Sequence, residues 1–355
     1  MASSRSASAA ATITDVAARA DVSIKTVSRV MNNEPGVRAD TRDAVLKVMA
    51  ELNYRPKLSA RSLAGARSFL IGLLYYDPSA AFVGGLQQGA TLRCREAGYH
   101  LVVESLHDDA PDLAAQVDRM VSALRPDGMI LTPPLCDNAH VLRALRASGT
   151  PGVLLSPRKD LGDMASVRMD DVHAAEEITS HLIGLGHTRI GFVKGPTSQA
   201  ASALRHQGYL RALKKHGLAA DKALVAAGAF TFDSGVDAAR ALLALPDRPT
   251  AVFASNDDMA LGVLACAARA GLTIPRDLSI AGFDDSPASS LVWPPLTTVR
   301  QPMHEMARLA VEMLIAAQKE KAGAEGEAAA VPHRVVPHEV VVRDSTAARK
   351  VGRKA

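Results

Sequence analysis

Lys25 and Arg29 lie four residues apart, so they share one face of the chain if the stretch around them is helical. An arginine guanidinium can donate two hydrogen bonds to guanine, and a lysine can contact a base or a phosphate. The short polar side chains of Thr26, Ser28 and Asn32 suit contacts to phosphate, although Thr26 and Ser28 are also ordinary residues of a helix surface. These residue types at this spacing predict a helix that reads DNA.

Two short helices within residues 13–33 would position these side chains. Apolar residues recur at helical spacing in both halves of the segment, at Ile13, Val16, Ala17 and Ala20 and again at Val27, Val30 and Met31. With the second set facing a core, Ile24 joins Lys25 and Arg29 on the outer face. A protruding helix of this kind fits the major groove of DNA.

The starts of both helices carry capping residues. Thr12, followed three residues later by Asp15, predicts an N-cap with its partner, and Ser23 predicts the cap of the second helix.

A second group of candidate residues follows strand-like runs much further along the chain. Asn256 comes directly after TAVFAS, Asp284 follows LSIAGF, and Arg205 opens a helix after GPTSQAASAL. Because ligands of α/β sheets bind beyond the carboxyl ends of the strands, these side chains are expected at a cleft. A carboxylate accepts two adjacent hydroxyls and a guanidinium donates in a fork, so the pair suits a polyol ring. Phe82 and Phe230 are placed to supply an apolar face.

Neighbouring residues have more ordinary interpretations. Asp257 and Asp285 are expected to be structural carboxylates of a cap or turn, and Trp293 is expected to pack against the protein.

Apolar runs alternate with helical stretches from Phe69 onward. FLIGLLYY, YHLVVES, GMILT and GVLLS form one set, and RIGFV, ALVAAG, TAVFAS and LSIAGF form a second. Continuous apolar strands between helices indicate parallel sheets that are covered on both faces, and two sets indicate two doubly wound subdomains. A dinucleotide-binding enzyme is the structural rival. Its best candidate loop, GLGHTRIG, precedes a strand instead of following one and lacks the required glycine spacing.

Charge and cysteine usage favour an intracellular protein with a basic head. Residues 1–66 carry a net charge of +4, residues 67–342 a net −4 and residues 343–355 a net +4. A basic head on a mildly acidic body fits a nucleic-acid contact confined to the head. The three cysteines form no CxxC or Cys/His cluster, and MASSRSASAAA has no apolar core for a signal peptide. We therefore expect a reduced, cytoplasmic, nucleoid-associated protein without metal or cofactor.

The headpiece resembles that of the LacI/GalR family of bacterial transcription regulators. The resemblance runs from Thr12 to about Gly65 through VSIKTVSRVMNN, VRADTRDAVLKVMAELNYRP and ARSLAG, and the α/β region resembles the family's periplasmic-binding-protein-like core. One departure is Asp21, where the family usually has glycine in the turn. Asp tolerates a left-handed backbone better than most residues, so the turn is expected to form.

The resemblance implies a domain layout. It consists of a disordered leader (1–11), a helix-turn-helix domain (12–56), a hinge helix (57–66), an effector-binding and dimerisation core (67–342) and a disordered basic tail (343–355). The first subdomain of the core would comprise about 69–167 and 299–322, and the second about 168–298 and 332–342. The chain would cross between them near Val167, near Thr298 and near 322–332, so that RVVPHEVVV ends in the second subdomain.

The resemblance also implies a function and its residues. The expected protein is a homodimeric repressor, not an enzyme, that binds a roughly palindromic operator in double-stranded DNA. Leu63 of the hinge matches the family's minor-groove leucine, although an apolar contact with the core is the alternative. The effector contacts implied by the family match Arg205, Asn256 and Asp284.

The nature of the effector stays open at this point. A sugar is favoured, but Thr132 and Ser156 replace an Asn and an Asp that some sugar-responsive relatives carry. Arg158 and Lys159 follow immediately and could meet an anion, and purine-responsive members also use an Arg and an Asp. A solute-binding protein of a transporter would share the core, but it needs an export signal and has no use for the headpiece.

Overall fold

The computed structural model describes residues 11–31, 36–54, 67–76, 79–322 and 331–349. It divides the chain into two compact units, residues 1–68 and residues 69–355. Asn32 and Leu63, two of the predicted DNA contacts, lie outside the described residues, as does the whole predicted hinge helix.

The first unit is built from three helices, α1 (Ile13–Arg19), α2 (Ile24–Met31) and α3 (Ala39–Glu51). Val16, Val27 and Val45, one from each helix, form the centre of its small core. The predicted caps are confirmed. Thr12 and Asp15 form a reciprocal capping box on α1. The Ser23 hydroxyl accepts a hydrogen bond from the Thr26 amide at 3.1 Å at the start of α2.

The turn between α1 and α2 forms as the sequence predicts. Asp21 adopts a left-handed backbone with φ of 53° at the position where glycine is usual in the family.

The second unit alternates strands and helices. In chain order its elements are β1 (Leu70–Tyr75), α4 (Ala80–Glu96), β2 (His100–Ser105), α5 (Leu113–Leu124), β3 (Gly128–Leu131), a 3-10 turn (Leu135–Asp137), α6 (Ala139–Ser148), β4 (Gly152–Leu155), β5 (Ala165–Arg168), α7 (Asp171–Gly184), β6 (Ile190–Lys194), α8 (Ala200–Lys215), a second 3-10 turn (Lys222–Leu224), β7 (Val225–Ala227), α9 (Phe232–Leu243), β8 (Ala251–Ala254), α10 (Asp257–Arg269), β9 (Ser279–Ala281), α11 (Pro287–Leu291), β10 (Thr298–Arg300), α12 (Met303–Ala322), β11 (His333–Val335) and β12 (Glu339–Val341).

Two parallel sheets define the two subdomains of this unit. The first sheet has the order β11-β5-β4-β3-β1-β2 and the second the order β7-β6-β8-β9, while β10 and β12 form an antiparallel pair. Both large sheets are buried on both faces, because successive residues of a strand enter different cores. Leu73 and Leu74 of β1 belong to separate clusters, as do Phe192 and Val193 of β6. The predicted doubly wound fold is confirmed.

The last crossing between the subdomains differs from the prediction. The resemblance implies a crossing near 322–332, with RVVPHEVVV in the second subdomain. Instead β11 pairs in parallel with β5 at the edge of the first sheet, and the chain crosses between β11 and β12. All three residues of β11 are exposed, so the apolar pattern that revealed the other strands is missing here.

The prediction of a disordered tail from residue 343 was wrong for residues 343–349. Ser345 is fully buried. Its hydroxyl donates a hydrogen bond to the Ile280 carbonyl at 2.6 Å and accepts one from the Thr297 amide at 2.7 Å. The carbonyl of Ala347 lies 3.1 Å from the His187 ring nitrogen Nε2. The segment is held by hydrogen bonds and not by apolar side chains, so its composition resembled that of a tail.

Candidate DNA-reading helix and ligand cleft

The outer face of α2 carries the side chains that were predicted to read DNA. Ile24 is 48% exposed, Lys25 and Arg29 are also exposed, and Val27 and Val30 are buried in the core of the headpiece. The orientation of the helix within its own unit is therefore the predicted one, which leaves a basic and apolar surface directed outward.

Two of the predicted phosphate contacts are less exposed. Thr26 and Ser28 are half-buried, and the Thr26 hydroxyl lies 2.9 Å from the Ser23 hydroxyl. Thr26 therefore takes part in the helix cap as well as lying beside the exposed face.

The five residues that were predicted to contact an effector line one cavity of the second unit. Phe82 lies on α4 of the first subdomain, Arg205 lies on α8, Phe230 precedes α9, Asn256 precedes α10 and Asp284 follows β9. The space between the lining residues, counted together with the solvent at its mouth, is about 410 Å³. The structure thus brings together side chains from both subdomains, although they are separated by up to two hundred positions in the sequence.

Arg205 is held in place by partners within the second subdomain. Its Nε donates to Asp171 Oδ1 at 2.8 Å, and its Nη1 donates to the Ser255 carbonyl at 2.6 Å. Its guanidinium carbon lies 3.7 Å from the centre of the Phe283 ring. Among the described residues Nη2 has no hydrogen-bond partner, so the fork keeps donors for a ligand.

Asp284 lies beside Arg205 but does not form a close pair with it. Its Oδ1 is 3.8 Å from Arg205 Nη1 and accepts a hydrogen bond from Gln301 Nε2 at 2.5 Å. Both Arg205 and Asp284 are about 95% buried as residues. A buried charged donor next to a buried charged acceptor is the arrangement that binds adjacent hydroxyls.

Three residues of the cavity wall have a positive backbone φ. Ser156, Phe230 and Asp284 all line it and have φ values of 45°, 59° and 128°. Positive φ costs free energy in residues other than glycine and is typical of functional sites.

Asn256 has a structural task in addition to its place in the cavity wall. Its Oδ1 accepts from the Met259 amide and its Nδ2 donates to the Phe230 carbonyl, both at 3.0 Å. It is the N-cap of α10, and only its second Nδ2 hydrogen and second lone pair remain for a ligand.

Asp257 and Asp285 are structural carboxylates, as expected. Asp257 is fully buried and accepts hydrogen bonds from the Thr298 hydroxyl at 2.6 Å and from the Ser286 amide at 2.7 Å. Burial raises the pKa of Asp257 to about 7. Asp285 forms ion pairs with Arg300 and Arg343.

Trp293 contradicts the expectation that it packs against the protein, because it is 83% exposed.

Several residues of the cavity were not predicted. Asp171 holds Arg205, Gln301 holds Asp284, and the remaining wall is formed by Ser79, Pro133, Ser156, Gln199 and Ala201. The pair Asp170–Asp171 carried a signal, but it indicated a helix start. Thr132, which follows β3, is buried and bonded to the Leu74 carbonyl and does not line the cavity.

Neither a metal site nor a dinucleotide-binding loop is found in the described part of the chain. No group of three or more His, Cys, Asp or Glu there is arranged to hold a metal ion, and none of its helices is long and apolar enough to span a membrane. GLGHTRIG lies between the end of α7 and the start of β6, and its His187 is buried between Thr250 and Ser279.

Known families match both parts of the chain. The bacterial regulatory proteins of the lacI family match residues 12–57, and a periplasmic binding protein-like domain matches residues 179–346. The ribose operon repressor of Escherichia coli K12 is 35% identical over 310 residues, which make up 86% of this chain and 92% of that protein.

Solved structures resemble the chain over nearly its whole length. The lac repressor dimer bound to operator and the anti-inducer ONPF has a TM-score of 0.77 at 28% identity, and the match covers 95% of this chain and 99% of that one. The complex of the transcriptional regulator CelR with cellobiose has a TM-score of 0.72 at 29% identity, and the match covers 94% and 99%.

A helix-turn-helix headpiece followed by a periplasmic-binding-protein-like core defines a transcriptional repressor with an effector-binding domain, a class that is not enzymatic. The chain belongs to the LacI family of bacterial transcription regulators.

Proposed function

We propose that the protein is a homodimeric repressor that acts on the nucleoid in the cytoplasm and whose hold on a roughly palindromic operator is controlled by a sugar. The observation that supports a sugar as the effector is the composition of the cavity. The Arg205 guanidinium lies beside the Asp284 carboxylate, and the aromatic side chains of Phe82 and Phe230 line the same cavity. This combination of planar donors, a carboxylate and an apolar face suits a ring with adjacent hydroxyls. The CelR complex with cellobiose, a similar structure, supports this choice.

The DNA-reading part of the proposal rests on the exposed face of α2. Ile24, Lys25 and Arg29 would contact base edges in the major groove, with Arg29 reading guanine. Thr26, Ser28 and Asn32 would anchor to phosphates, which sets the register without reading sequence. The hinge would place Leu63 into the minor groove as a wedge.

An exposed apolar pair supports the homodimer. Leu291 and Trp293 are each 83% exposed at the end of α11 and in the turn that follows. Large exposed apolar side chains can mark interaction sites, and a second copy of the chain would cover these two. The lac repressor, which resembles this chain, is a dimer on its operator.

Control of DNA binding requires that the ligand favour one arrangement of the subdomains, since equal affinity for two arrangements shifts neither. The lining of the cavity supports such control, because Phe82, Pro133 and Ser156 come from the first subdomain whereas Arg205 and Asp284 come from the second. A ligand that touches both sets binds differently when their separation changes.

The test joins a ligand screen to a DNA-binding assay. Thermal shifts of the full chain are measured with sugars, sugar phosphates and nucleobases, because a ligand that binds only the native state raises the melting temperature. Each ligand found is then tested for its effect on the affinity for an operator selected from random DNA. Asp284→Ala should keep DNA affinity and lose both the thermal shift and the effect on DNA binding.

Asp233→Ala is the matched control, because Asp233 is exposed on α9 and does not line the cavity. It should behave as the wild type in both assays. A normal ligand response of Asp284→Ala contradicts the assignment of the cleft. If the wild type responds only to nucleobases, the proposed effector is a purine and not a sugar.

A further inference from the structure

A second cavity adjoins the ligand cavity at two shared residues. Ser156 and Asp171 line both, and the space between the walls of the second cavity, counted together with the solvent at its mouth, is about 620 Å³. Its other walls are the segment after β4, the end of β5, the start of α7 and one residue of α8, namely Pro157, Arg158, Lys159, Asp160, Arg168, Met169, Asp170, Val172 and Leu204. The two cavities are therefore neighbours, with Ser156 and Asp171 on the wall of both.

The carboxylates around the second cavity are already engaged. Asp160 accepts a hydrogen bond from the Ser166 hydroxyl at 2.5 Å and lies 3.5 Å from Arg168. Asp170 caps α7 by accepting from the His173 amide at 2.9 Å. Asp171 is the 2.8 Å partner of Arg205. Each of these three carboxylates therefore already accepts a hydrogen bond within the protein.

Two cationic side chains of the same cavity lack such partners among the described residues. Arg158 and Lys159 are exposed, and within the described chain no carboxylate oxygen lies within ion-pair distance of either side chain. The segment that carries them is fixed, because Asp137 Oδ1 accepts from the Arg158 backbone amide at 2.8 Å. Ser156 adopts its positive φ at the start of the segment, where the chain turns away from β4. Two exposed cations thus lie beside the ligand cavity, and neither forms an ion pair with a described carboxylate.

We propose that the second cavity binds an anionic substituent, a phosphate ester or a carboxylate, of a sugar whose ring occupies the first cavity. The proposal rests on the proposed function, since the ring is placed by Arg205 and Asp284. Arg158 and Lys159 supply the charged donors for the anion, and Ser156 lies on the wall of both cavities. A neutral sugar uses the first cavity alone, so the anionic sugar is the tighter ligand.

Calorimetric titration of the full chain tests the proposal with matched ligands. The probes are glucose, glucose 6-phosphate and glucuronate, together with ribose and ribose 5-phosphate. In the wild type at least one anionic sugar should bind about tenfold or more tightly than its neutral parent, the size expected for one charge-assisted hydrogen bond. The phosphate and carboxylate arms show which anion the cavity takes.

Arg158→Gln/Lys159→Gln should remove this preference and change the affinity for the neutral sugar by less than about twofold, since exposed charges away from the neutral ring contribute little. Arg211→Gln/Lys214→Gln, which removes two exposed cations from the far part of α8, should retain the preference. The preference should also weaken as salt concentration rises.

Three results overturn the proposal. They are a panel in which no anionic sugar binds, an anionic sugar that binds no more tightly than its parent, and a preference that survives in Arg158→Gln/Lys159→Gln. Asp284→Asn separates this proposal from the function it rests on. If neutral and anionic sugars still bind to Asp284→Asn with wild-type affinity, the proposed function fails. If the wild type binds neutral sugars but shows no preference for an anionic sugar, the sugar cleft stands and only the second cavity is refuted.

Discussion

Replacing Asp171 by Asn should destabilise the core and weaken ligand binding together. The carboxylate of Asp171 and the guanidinium of Arg205 are 4% and 6% exposed and lie 2.8 Å apart. Asn keeps the shape and one acceptor, but it removes the negative charge and leaves the Arg205 charge buried. Breaking a buried ion pair by removing one partner costs about 3–5 kcal/mol. Because Asp284 remains 3.8 Å away, we expect the lower end of that range or slightly less, about 2–3 kcal/mol.

The effect on the ligand follows from the same geometry. Without Asp171, Arg205 is drawn to Asp284, the only other carboxylate the described residues place near it, and the pair closes the space a ligand would use. Ligand affinity should fall while DNA affinity without ligand stays unchanged. At about 2–4 °C per kcal/mol for a core of this size, the melting temperature should fall by about 5 °C or more.

Asp170→Asn is the matched control for this experiment. Asp170 is the exposed neighbour that caps α7, and Asn caps a helix as well as Asp does. Thermal and urea unfolding of both variants should separate them clearly. If Asp171→Asn is as stable as Asp170→Asn and binds ligand normally, Arg205 does not depend on Asp171 and the account of the cleft is wrong.

Three further predictions concern the headpiece, the buried carboxylate and the exposed tryptophan. Arg29→Ala should lose about 1–3 kcal/mol of discrimination between operator and unrelated DNA, measured by competition binding, whereas Lys47→Ala on the exposed side of α3 should keep it. The pKa of Asp257 is raised to about 7 in the folded protein, so as the pH rises the carboxyl loses its proton in the unfolded chain before it does so in the folded protein. The protonated carboxyl therefore stabilises the fold at low pH, and this stabilisation is lost as the pH rises from about 4 to 7. The melting temperature of Asp257→Asn relative to the wild type should therefore rise across this window, and a constant difference refutes the assignment. The fluorescence emission of Trp293, the single tryptophan, should shift to the blue as the protein concentration rises. Leu291→Ser should reduce the fraction that sediments as a dimer. If the emission spectrum and the sedimentation mass both stay unchanged, the dimer contact lies elsewhere.

Local signals explain which parts of the fold could be predicted from the sequence. Thr12 and Asp15 of the capping box are only three positions apart, and the buried strands are recognisable as continuous apolar runs. Arg205 and Asp284 could be placed at one cavity because the carboxyl ends of parallel strands meet at one edge of a sheet.

The parts that could not be predicted depend on partners far along the chain. Asp171 and Arg205 are 34 residues apart, and Ser345 finds its partner at Thr297, 48 residues away. A polar residue gives no local sign of whether it faces water or a distant polar group, because only the folded state supplies the partner. The exposure of Trp293 has the same cause, since a large aromatic residue is buried more often than not and nothing beside it in the sequence shows otherwise.

The position of Gln301 connects the cavity to the segments that join the subdomains. Gln301 lies between β10, which pairs with β12, and α12, which packs in the core of the first subdomain. Its side-chain amide donates to Asp284 Oδ1, the same carboxylate that a sugar hydroxyl would approach. A ligand that donates a hydrogen bond to this oxygen competes with Gln301. Binding in the cavity would therefore change a contact made by the segment that joins the two subdomains between β10 and α12. Coupling between two sites requires a ligand whose interactions differ between two arrangements, and the Asp284–Gln301 contact is a place where that difference can arise.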